Sequence, residues 1–202
     1  HYEYQDDAGN KTNRLKSTNI PGDADAGPYT ATYQHDLHGN MTKMPHLDEL
    51  VWNFMDQLMK VMLGGGGIAF YVYGLGGRRM RKVIERLGGK KIERIYLGAV
   101  EIYREYQNNT KKLERSTLHI SDNTGRIAQV DTKLIDEDNS DPANPLNKNL
   151  IRYQYANHLG SATMETDEFG NIISYEEYHP YGTSAYRSSK SDVDLSLKRY
   201  RF

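Results

Sequence analysis

Short runs of alternating apolar and polar residues cover most of the chain, and each run is bounded by Gly, Asp or Asn. The segments "IAFYVY" (68–73) and "KKIERIYLGAVEIYREYQ" (90–107) are typical, and Gly98 interrupts the second one. A period of two is characteristic of β-strands, while the bounding residues favour turns. The pattern therefore predicts strands joined by tight turns, with 109–120 pairing beside the strands around Gly98.

One short unit recurs along the chain: an aromatic or apolar residue, then Asp or a small substitute, two variable residues, Gly, and Arg or Asn. Asp or Asn can start a turn by bonding to the backbone two residues on, and Gly supplies the positive φ that the turn needs. Each unit is therefore predicted to be a β-hairpin, and stacked hairpins are stabilised by sharing one continuous face. The predicted turn residues are Asp6 and Gly9, Asp36 and Gly39, Gly74 and Gly77, Asp122 and Gly125, Asn157 and Gly160, and Asp167 and Gly170.

The segment "HLDELVWNFMDQLMKVM" (46–62) allows two interpretations. Its apolar residues lie near helical spacing, which would make it the one helix of the chain. It also contains a further copy of the repeat, with Asn53 in the Asp position and Asp56 in the Gly position. The repeat favours two strands and a turn.

The composition points to sheet packing by tyrosine. Only 37% of the residues are apolar, and there are 16 Tyr against 4 Phe and 1 Trp. A tyrosine ring packs while its hydroxyl reaches water or a carbonyl, which suits a half-buried sheet. We therefore expect tyrosine to fill the layer between strands.

Charge and cysteine content exclude several classes of function. Lys and Arg number 26 and Asp and Glu 27, so the chain lacks the positive charge typical of nucleic-acid or anionic-membrane binding. The absence of Cys excludes disulfides, thiolate metal sites and a cysteine nucleophile. No apolar run approaches the roughly 20 residues that span a bilayer. The start "HYEYQDD" looks internal to a longer chain.

Candidate ligand sites in the chain have simpler structural interpretations. His35, His38 and His46 are spaced for a strand and turn that would point them apart, so a metal site is not expected. The stretch 136–147 fails the EF-hand pattern, because Asp141 and Asn147 replace the required Gly and Glu. The stretch 136–149 is predicted to be an exposed loop. No cofactor is expected.

Glycine-rich and basic stretches are also predicted to be structural. The runs at 64–67, 74–79 and 88–91 lack the spacing of a phosphate-binding loop and are predicted turns. In a regular strand, Arg79 and Arg81 would share one face opposite Lys82, which divides the basic charge between two faces. A solvated surface is favoured over nucleic-acid or cargo contact.

Other candidates are a hydrolase-like pair, an aromatic cluster and a modification site. Ser161 follows His158 in "HLGSA" but lacks a nucleophile elbow. Tyr178, Tyr181 and Tyr186 could form a sugar-binding platform, although packing between hairpins is favoured. Asn108 in "NNT" meets the glycosylation consensus, which matters only on a eukaryotic secretory route.

The segment "RYQYANHLGSATMETDEFGNIISYEEYHPYGTSAYR" (152–187), after several Y-D-x-x-G-R/N units, resembles the RHS or YD-repeat proteins. It is similar to their RHS repeat-associated core region and to subunits of insecticidal Tc toxin complexes. By this resemblance, 1–150 is a YD-repeat hairpin array and 151–202 is the truncated start of the core region. The residues that carry the core-region motif are Tyr155, His158, Gly160, Tyr178, Pro180, Tyr181 and Gly182.

The resemblance implies an all-β fold in which stacked antiparallel β-hairpins form part of the wall of a spiral shell. Such a shell encloses a C-terminal toxic effector, and the implied partners are the rest of the parent shell, that effector and other toxin complex subunits. Neither nucleic-acid binding nor membrane insertion is implied, and the parent would be secreted or at the cell surface. The family's autoprotease motif would lie beyond residue 202, so the segment is expected to be non-enzymatic.

A second class of function remains open at this point. Some YD-repeat proteins act in cell adhesion, so a cell-surface adhesion or glycan-binding module is the alternative. A toxin parent would carry the autoprotease and a variable domain after Phe202. An adhesion parent would instead carry extracellular modules around the segment.

Overall fold

A computed structural model describes residues 1–7, 9–123, 125–139, 145–179 and 182–189. Over these residues the regular structure consists of β-strands and two single 3-10 turns, at 75–77 and 87–89. None of the described residues belongs to a helix that is long and apolar enough to cross a membrane. The chain divides into two compact units, 1–91 and 92–202. The expected all-β class is confirmed.

The first unit is a series of antiparallel strands. They are β1 (Tyr2–Asp7), β2 (Asn10–Thr18), β3 (Ala31–Thr32), β4 (Gln34–His35), β5 (Met41–Lys43), β6 (Leu47–Trp52), β7 (Leu58–Leu63), β8 (Gly67–Tyr73) and β9 (Arg79–Arg86). Strands β1 to β3 form one sheet, β4 and β5 form a hairpin, and β6 to β9 pair in sequence order. The strand interpretation of 46–62 is therefore confirmed, since β6 and β7 occupy it.

A small apolar core lies on one face of β6 to β9. Leu50 pairs with Val61, Val61 with Ala69, and Ala69 with Ile84, so the four side chains share that face. Leu50, Val61 and Ala69 are 8%, 3% and 1% exposed. The partly buried side chains that pack against this core are Met44, Leu47, Leu58, Leu63, Tyr71 and Ile84.

The basic stretch in β9 does not alternate as expected. The register with β8 skips Met80, which forms a bulge. Arg79 therefore lies on the face of Lys82, and both cations lie over the ring of Tyr71, at 5.8 Å and 5.6 Å from its centroid. The prediction that Arg79 and Arg81 share a face is wrong, because a bulge shifts the alternation by one residue.

The second unit is also an antiparallel meander. Its strands are β10 (Lys90–Leu97), which begins at the end of the first unit, β11 (Val100–Gln107), β12 (Thr110–Ser121), β13 (Arg126–Asp136), β14 (Asn149–Ala156), β15 (Ala162–Thr166), β16 (Ile172–Tyr178) and β17 (Ser184–Ser189). Strands β11 to β17 pair antiparallel in sequence order, and β10 lies beside β11. The predicted pairing of 109–120 beside these strands is confirmed by β11 and β12.

The connection between β13 and β14 begins later than the predicted loop. Asp136 belongs to β13, and its side chain is only 3% exposed. Residues 140–144 lie outside the described residues. They include Asp141, which stands where the EF-hand pattern requires Gly. Asn147 has a positive φ of 58° and donates its backbone N–H to the Lys133 carbonyl.

Candidate functional site

Most hairpins of the repeat end in turns of one geometry. The N–H of the first residue donates to the carbonyl of the residue four places on, and the N–H of the fourth residue donates to the carbonyl of the first. The fourth residue has a positive φ in each, which is where glycine is favoured. These turns are 36–40, 53–57, 74–78, 157–161, 167–171 and 179–183, with fourth residues Gly39, Asp56, Gly77, Gly160, Gly170 and Gly182 at φ 93°, 56°, 72°, 79°, 81° and 78°.

The Asp or Asn in the first position holds the turn through its side chain. The Oδ1 atom of Asp167 accepts from the backbone N–H of Phe169 at 3.0 Å and of Asn171 at 2.8 Å. Asn157 makes the equivalent contacts with Leu159 and Ser161, both at 3.0 Å. The sequence needs Asp or Asn here because a short side-chain oxygen can reach these backbone donors.

Two of the predicted turn pairs have other geometries. Asp6 pairs with Lys11 in a shorter hairpin, where Gly9 has a φ of 85°. Asp122 accepts from the backbone N–H of Gly125 through its side chain at 3.1 Å, and Gly125 has a φ of 146°.

One turn of the common geometry was not predicted from the sequence. In 179–183 His179 takes the first position and Gly182 the fourth. Gly182 entered the sequence analysis only as part of the core-region motif. Its spacing from His179 matches the spacing of Asp167 and Gly170, and this was the signal that could have found it.

The core-region motif is spread over several strands and turns. Tyr155 lies on β14 and is 51% exposed, and His158 is exposed at the tip of turn 157–161. The Tyr178 hydroxyl donates to the Ala162 carbonyl at 2.6 Å and so ties β16 to β15. Ser161 is fully buried, whereas His158 is exposed. Pro180 and Tyr181 lie outside the described residues.

Three turns of the first unit lie side by side, and we call 36–40, 53–57 and 74–78 the turn row. Asp56 joins the first two, because its Oδ1 atom lies 2.8 Å from His38 Nδ1 and accepts from Asn40 Nδ2 at 2.7 Å. The second and third are close enough that a Cβ on Gly77 would lie 3.4 Å from Gln57 Nε2. Side chains of the repeat therefore connect neighbouring turns.

The charges of the turn row stabilise one another. Hydrogen bonds from Asn40 and His38 lower the pKa of the Asp56 carboxyl. The hydrogen bond with Asp56 in turn raises the pKa of His38. His35 lies on β4 near Gln5, and His46 is exposed, so the three histidines do not converge. Within the described ranges no group of three or more His, Asp or Glu side chains is arranged to hold a metal ion.

The second unit carries charged side chains on its more buried face, which we call the charged face. Cross-strand pairing lines up Glu101 with Thr117 and Thr117 with Asp131. The same register lines up Gln154 with Glu165 and Glu165 with Ser174. Charged residues of this face that are at most 6% exposed are Glu101, Arg115, Asp131, Lys133, Arg152, Glu165 and Glu176.

Opposite charges of this face are matched within β13 and between neighbouring strands. Lys133 Nζ lies 2.6 Å from Asp136 Oδ2, with both side chains 3% exposed. Arg152 Nε lies 3.3 Å from Asp131 Oδ2, and its Nη1 lies 4.0 Å from Glu165 Oε2. Buried charges are tolerated when they are paired in this way.

Burial changes the titration of groups at the edge of the charged face. Burial raises the pKa of the Tyr103 hydroxyl, and its hydrogen bond to Glu105 raises it further. Burial lowers the pKa of Arg94 although Glu101 opposes the shift. Both shifts follow from the cost of placing charge where water is excluded.

The opposite face of the second unit carries the ion pair of Arg104 and Glu114 and, beyond it, a set of exposed apolar and aromatic side chains, and we call it the apolar face. Leu118 and Tyr153 are 43% and 42% exposed, and Tyr175 and Tyr186 are 36% and 56% exposed. The expectation that tyrosine fills the layer between strands is wrong at these positions, because the alternation places them on the less covered face. The rings of Tyr175 and Tyr186 lie 6.4 Å apart and are tilted by 56°. Of the aromatic cluster predicted at Tyr178, Tyr181 and Tyr186, Tyr181 lies outside the described residues.

Comparison with known proteins shows relatives among toxin subunits. The chain is 27% identical over 175 residues to the toxin subunit YenC1 of Yersinia entomophaga, covering 83% of this chain and 18% of that protein. It is 26% identical over 193 residues to the toxin subunit YenC2 of the same organism, covering 92% of this chain and 19% of that protein. No protein-family model matches the chain. The chain thus spans less than a fifth of these relatives.

Solved structures of toxin complexes contain the same fold. The match to the crystal structure of TcdB2-TccC3-Cdc42 covers 91% of this chain and 9% of the chain in that structure. The sequence identity is 26% and the TM-score is 0.69. The match to the crystal structure of TcdB2-TccC3 covers 78% of this chain and 8% of the chain in that structure, with 24% identity and a TM-score of 0.67. The similarity to Tc toxin subunits that the sequence suggested is therefore confirmed: the chain resembles subunits of Tc toxin complexes in sequence and shares the fold of a segment of them.

Proposed function

We propose that this chain is a non-catalytic wall segment of a toxin-complex shell that encloses a C-terminal toxic effector. The observation that carries the proposal is the similarity to TcdB2-TccC3-Cdc42, which extends over 91% of the chain at a TM-score of 0.69. In this proposal the partners are the rest of the parent chain, the effector and other subunits of the complex. The parent protein would be secreted or lie at the cell surface.

The strand order suits a continuous wall. Consecutive strands pair from β6 to β9 and from β11 to β17, so within these two stretches backbone hydrogen bonds join each strand to the next. The turns confine the width of the strip, because each one returns the chain within a few residues. A barrier around a polypeptide needs these two properties.

The charged face would fix the register of the wall. A slip of one residue in β13 would place Asp131 on the apolar face and remove its carboxylate from the buried Arg152 of β14. Matched charges therefore disfavour wrong pairings of similar hairpins, which is a hazard in any repeat array. The pairs contribute specificity more than net stability.

Limited proteolysis with mass spectrometry on the full-length parent tests the proposal. We expect a fragment from the region after Phe202 to be cut from the chain, yet to resist added protease until mild denaturation opens the shell. Digestion of that region at once in the native protein would contradict enclosure. The matched control is the same digestion on a parent lacking the region after its cleavage point, which reports cuts in the wall alone.

A further inference from the structure

A pocket of about 500 Å³ lies between the sheet of β1 to β3 and the loop that joins β2 to β3. Its lining includes Tyr2 and Glu3 of β1, Lys16 and Ser17 of β2, and Tyr29 of the loop. Small-molecule sites in proteins have volumes of about 300–1,000 Å³ and combine apolar walls with a few polar groups. The size and lining of this pocket are therefore those of a ligand site.

The loop that lines the pocket, residues 19–30, departs from the repeat. It has twelve residues, whereas the other connections between the described strands β1 to β9 have at most five. Asp23 holds the loop in place, since its Oδ2 atom accepts from the backbone N–H of Ile20 at 3.0 Å and of Thr30 at 3.1 Å. These two hydrogen bonds lower the pKa of the Asp23 carboxyl. A long connection held rigid at a pocket is typical of a binding loop, because a preformed site loses little entropy when a ligand binds.

Polar groups from three strands form the floor of the pocket. Cross-strand pairing places Glu3 beside Ser17, which is only 3% exposed, and Ser17 beside Thr32. The register between β1 and β2 passes over Lys16, and a bulge of this kind redirects a side chain. Glu3 accepts from both residues of β2, with Oε1 lying 2.7 Å from Lys16 Nζ and Oε2 lying 2.7 Å from the Ser17 hydroxyl. The floor thus holds a carboxylate and an ammonium side by side.

This floor suits a neutral ligand that both donates and accepts hydrogen bonds. The hydrogen bonds from Lys16 and Ser17 lower the pKa of Glu3, so its carboxylate is an acceptor at neutral pH, and the Lys16 ammonium has further protons to donate. Because the two charges cancel, an ionic ligand would be repelled by one of them as it approached the other. Two neighbouring hydroxyl groups of one ligand can donate to Glu3 and accept from Lys16 at the same time.

Aromatic rings supply the apolar wall of the pocket. Tyr2 is 71% exposed, and Pro28 and Tyr29 line the side of the loop. The Tyr29 hydroxyl donates to the Asp25 carbonyl at 2.8 Å, which fixes the position of the ring. The ring of His1 stacks on Tyr29 with centroids 6.0 Å apart and 11° between the planes, so a ring can lie against Tyr29. The C–H face of a pyranose packs on such aromatic rings, and its hydroxyl groups remain free for polar partners.

We infer that this pocket binds a neutral saccharide, with a pyranose ring against Tyr2 and Tyr29 and neighbouring hydroxyl groups at Glu3 and Lys16. The inference goes beyond the proposed wall function, because a wall segment needs no ligand of its own. It assigns stacking to the two tyrosines and hydrogen bonding to the ion pair.

Saturation-transfer difference NMR on the full-length parent tests the inference, because this method detects weak ligands of a large protein. The probes are the neutral saccharides maltotriose, cellotriose, lactose and diacetylchitobiose, and isothermal titration calorimetry measures the affinity of those that bind. We expect at least one probe to bind with a Kd below about 1 mM. Because the ligand is uncharged, the Kd should change by less than roughly twofold between low and high salt. Absence of binding by all four probes would overturn the inference.

Substitutions separate the aromatic part of the pocket from the polar part. Tyr29→Ala should weaken binding by about tenfold or more, since it removes the ring on which the sugar stacks. Tyr29→Phe should retain more of the affinity, because it keeps the ring. Lys16→Met should weaken binding several-fold, because it removes the ammonium donor and keeps the apolar stem of the side chain.

Lys60→Met is the matched control for Lys16→Met. Lys60 lies outside the pocket lining and also pairs with a partly exposed carboxylate of a neighbouring strand, Glu49 at 2.9 Å. An exposed pair contributes little to folding, so both variants should remain folded and only Lys16→Met should raise the Kd. Equal Kd values for Lys16→Met and Lys60→Met would contradict the assignment.

Two further outcomes would identify a different ligand and overturn the inference. Sialyllactose binding at least about tenfold more tightly than lactose would show that the pocket recognises an anion. Binding of a hexaproline peptide without binding of any saccharide would assign the pocket to an extended peptide. Since the proteolysis that tests enclosure does not involve this pocket, either proposal can fail while the other is retained.

Discussion

Replacing Lys133 by Met tests whether the charged face is held by matched buried charges. Lys133 and Asp136 are both 3% exposed at the side chain and lie 2.6 Å apart, and Met removes the charge while keeping most of the side-chain length. The variant leaves the Asp136 carboxylate buried beside an apolar group. Removing one partner of a buried ion pair costs about 3–5 kcal/mol of the free energy of unfolding.

The matched control lies one strand away. Lys112 is paired with Glu137 at 2.5 Å, but the two side chains are 36% and 46% exposed. Lys112→Met should therefore cost only about 0–1 kcal/mol, because water solvates the remaining carboxylate. The two variants remove the same group from pairs of nearly equal length and differ in burial.

Urea denaturation followed by far-ultraviolet circular dichroism measures both variants. We expect a much lower midpoint for Lys133→Met and nearly the wild-type midpoint for Lys112→Met. Combining Lys133→Met with Asp136→Leu should recover much of the loss, because the double change removes the buried carboxylate together with the lysine. Equal midpoints for the two single variants, or no recovery in the double variant, would refute the reasoning that burial makes this pair decisive.

Three further predictions concern the turns. Gly170 has a φ of 81° and open space where a Cβ would lie, so Gly170→Val should cost about 1–2 kcal/mol from backbone strain alone. Gly170→Asn should cost clearly less, as urea titration would show. Asp167→Ala should cost about 1 kcal/mol through loss of its contacts with the Phe169 and Asn171 N–H groups, and Asp167→Asn should retain most of the stability in the same titration. The contact with Asp56 raises the pKa of His38, so it stabilises the folded state fully at a pH below the ordinary histidine pKa. This stabilisation is lost as the pH rises through the raised pKa of His38. The Tm difference between wild type and His38→Gln should therefore be larger near about pH 6 than near about pH 8, and a difference independent of pH would contradict the contact.

Turn positions were accessible from the sequence because turn chemistry is local. The spacing of Asp167 and Gly170 marks a turn whose hydrogen bonds involve only the residues between 167 and 171. The same spacing with His179 in the first position was missed, since the sequence pattern admitted Asp, Asn or a small residue such as Gly74 there and histidine is none of these. Asp56 shows the converse, because an aspartate accepts a φ of 56° in the glycine position and uses its side chain to join two turns.

The more buried face of the sheet could not be predicted from the alternation. In β12 the pattern tells that Leu118 and Ile120 share one face and Thr117 the other. The alternation does not indicate which of the two faces is covered by other side chains and which is open to solvent. Hydrophobicity favours burial of Leu118, yet Leu118 is 43% exposed and Thr117 is 8% exposed. Side-chain coverage is a tertiary property, and ion pairs that accompany it, such as that of Arg152 with Asp131, join residues on different strands.

The order of the strands has a consequence for how the protein is made. From β6 to β9 and from β11 to β17 consecutive strands pair with each other, so the contacts of the sheet join residues that are close in sequence. Low contact order favours fast folding, because little loop entropy is lost before each pairing is formed. Each new strand finds its partner already in place when it leaves the ribosome, so the sheet can grow at the pace of synthesis from the amino terminus onward.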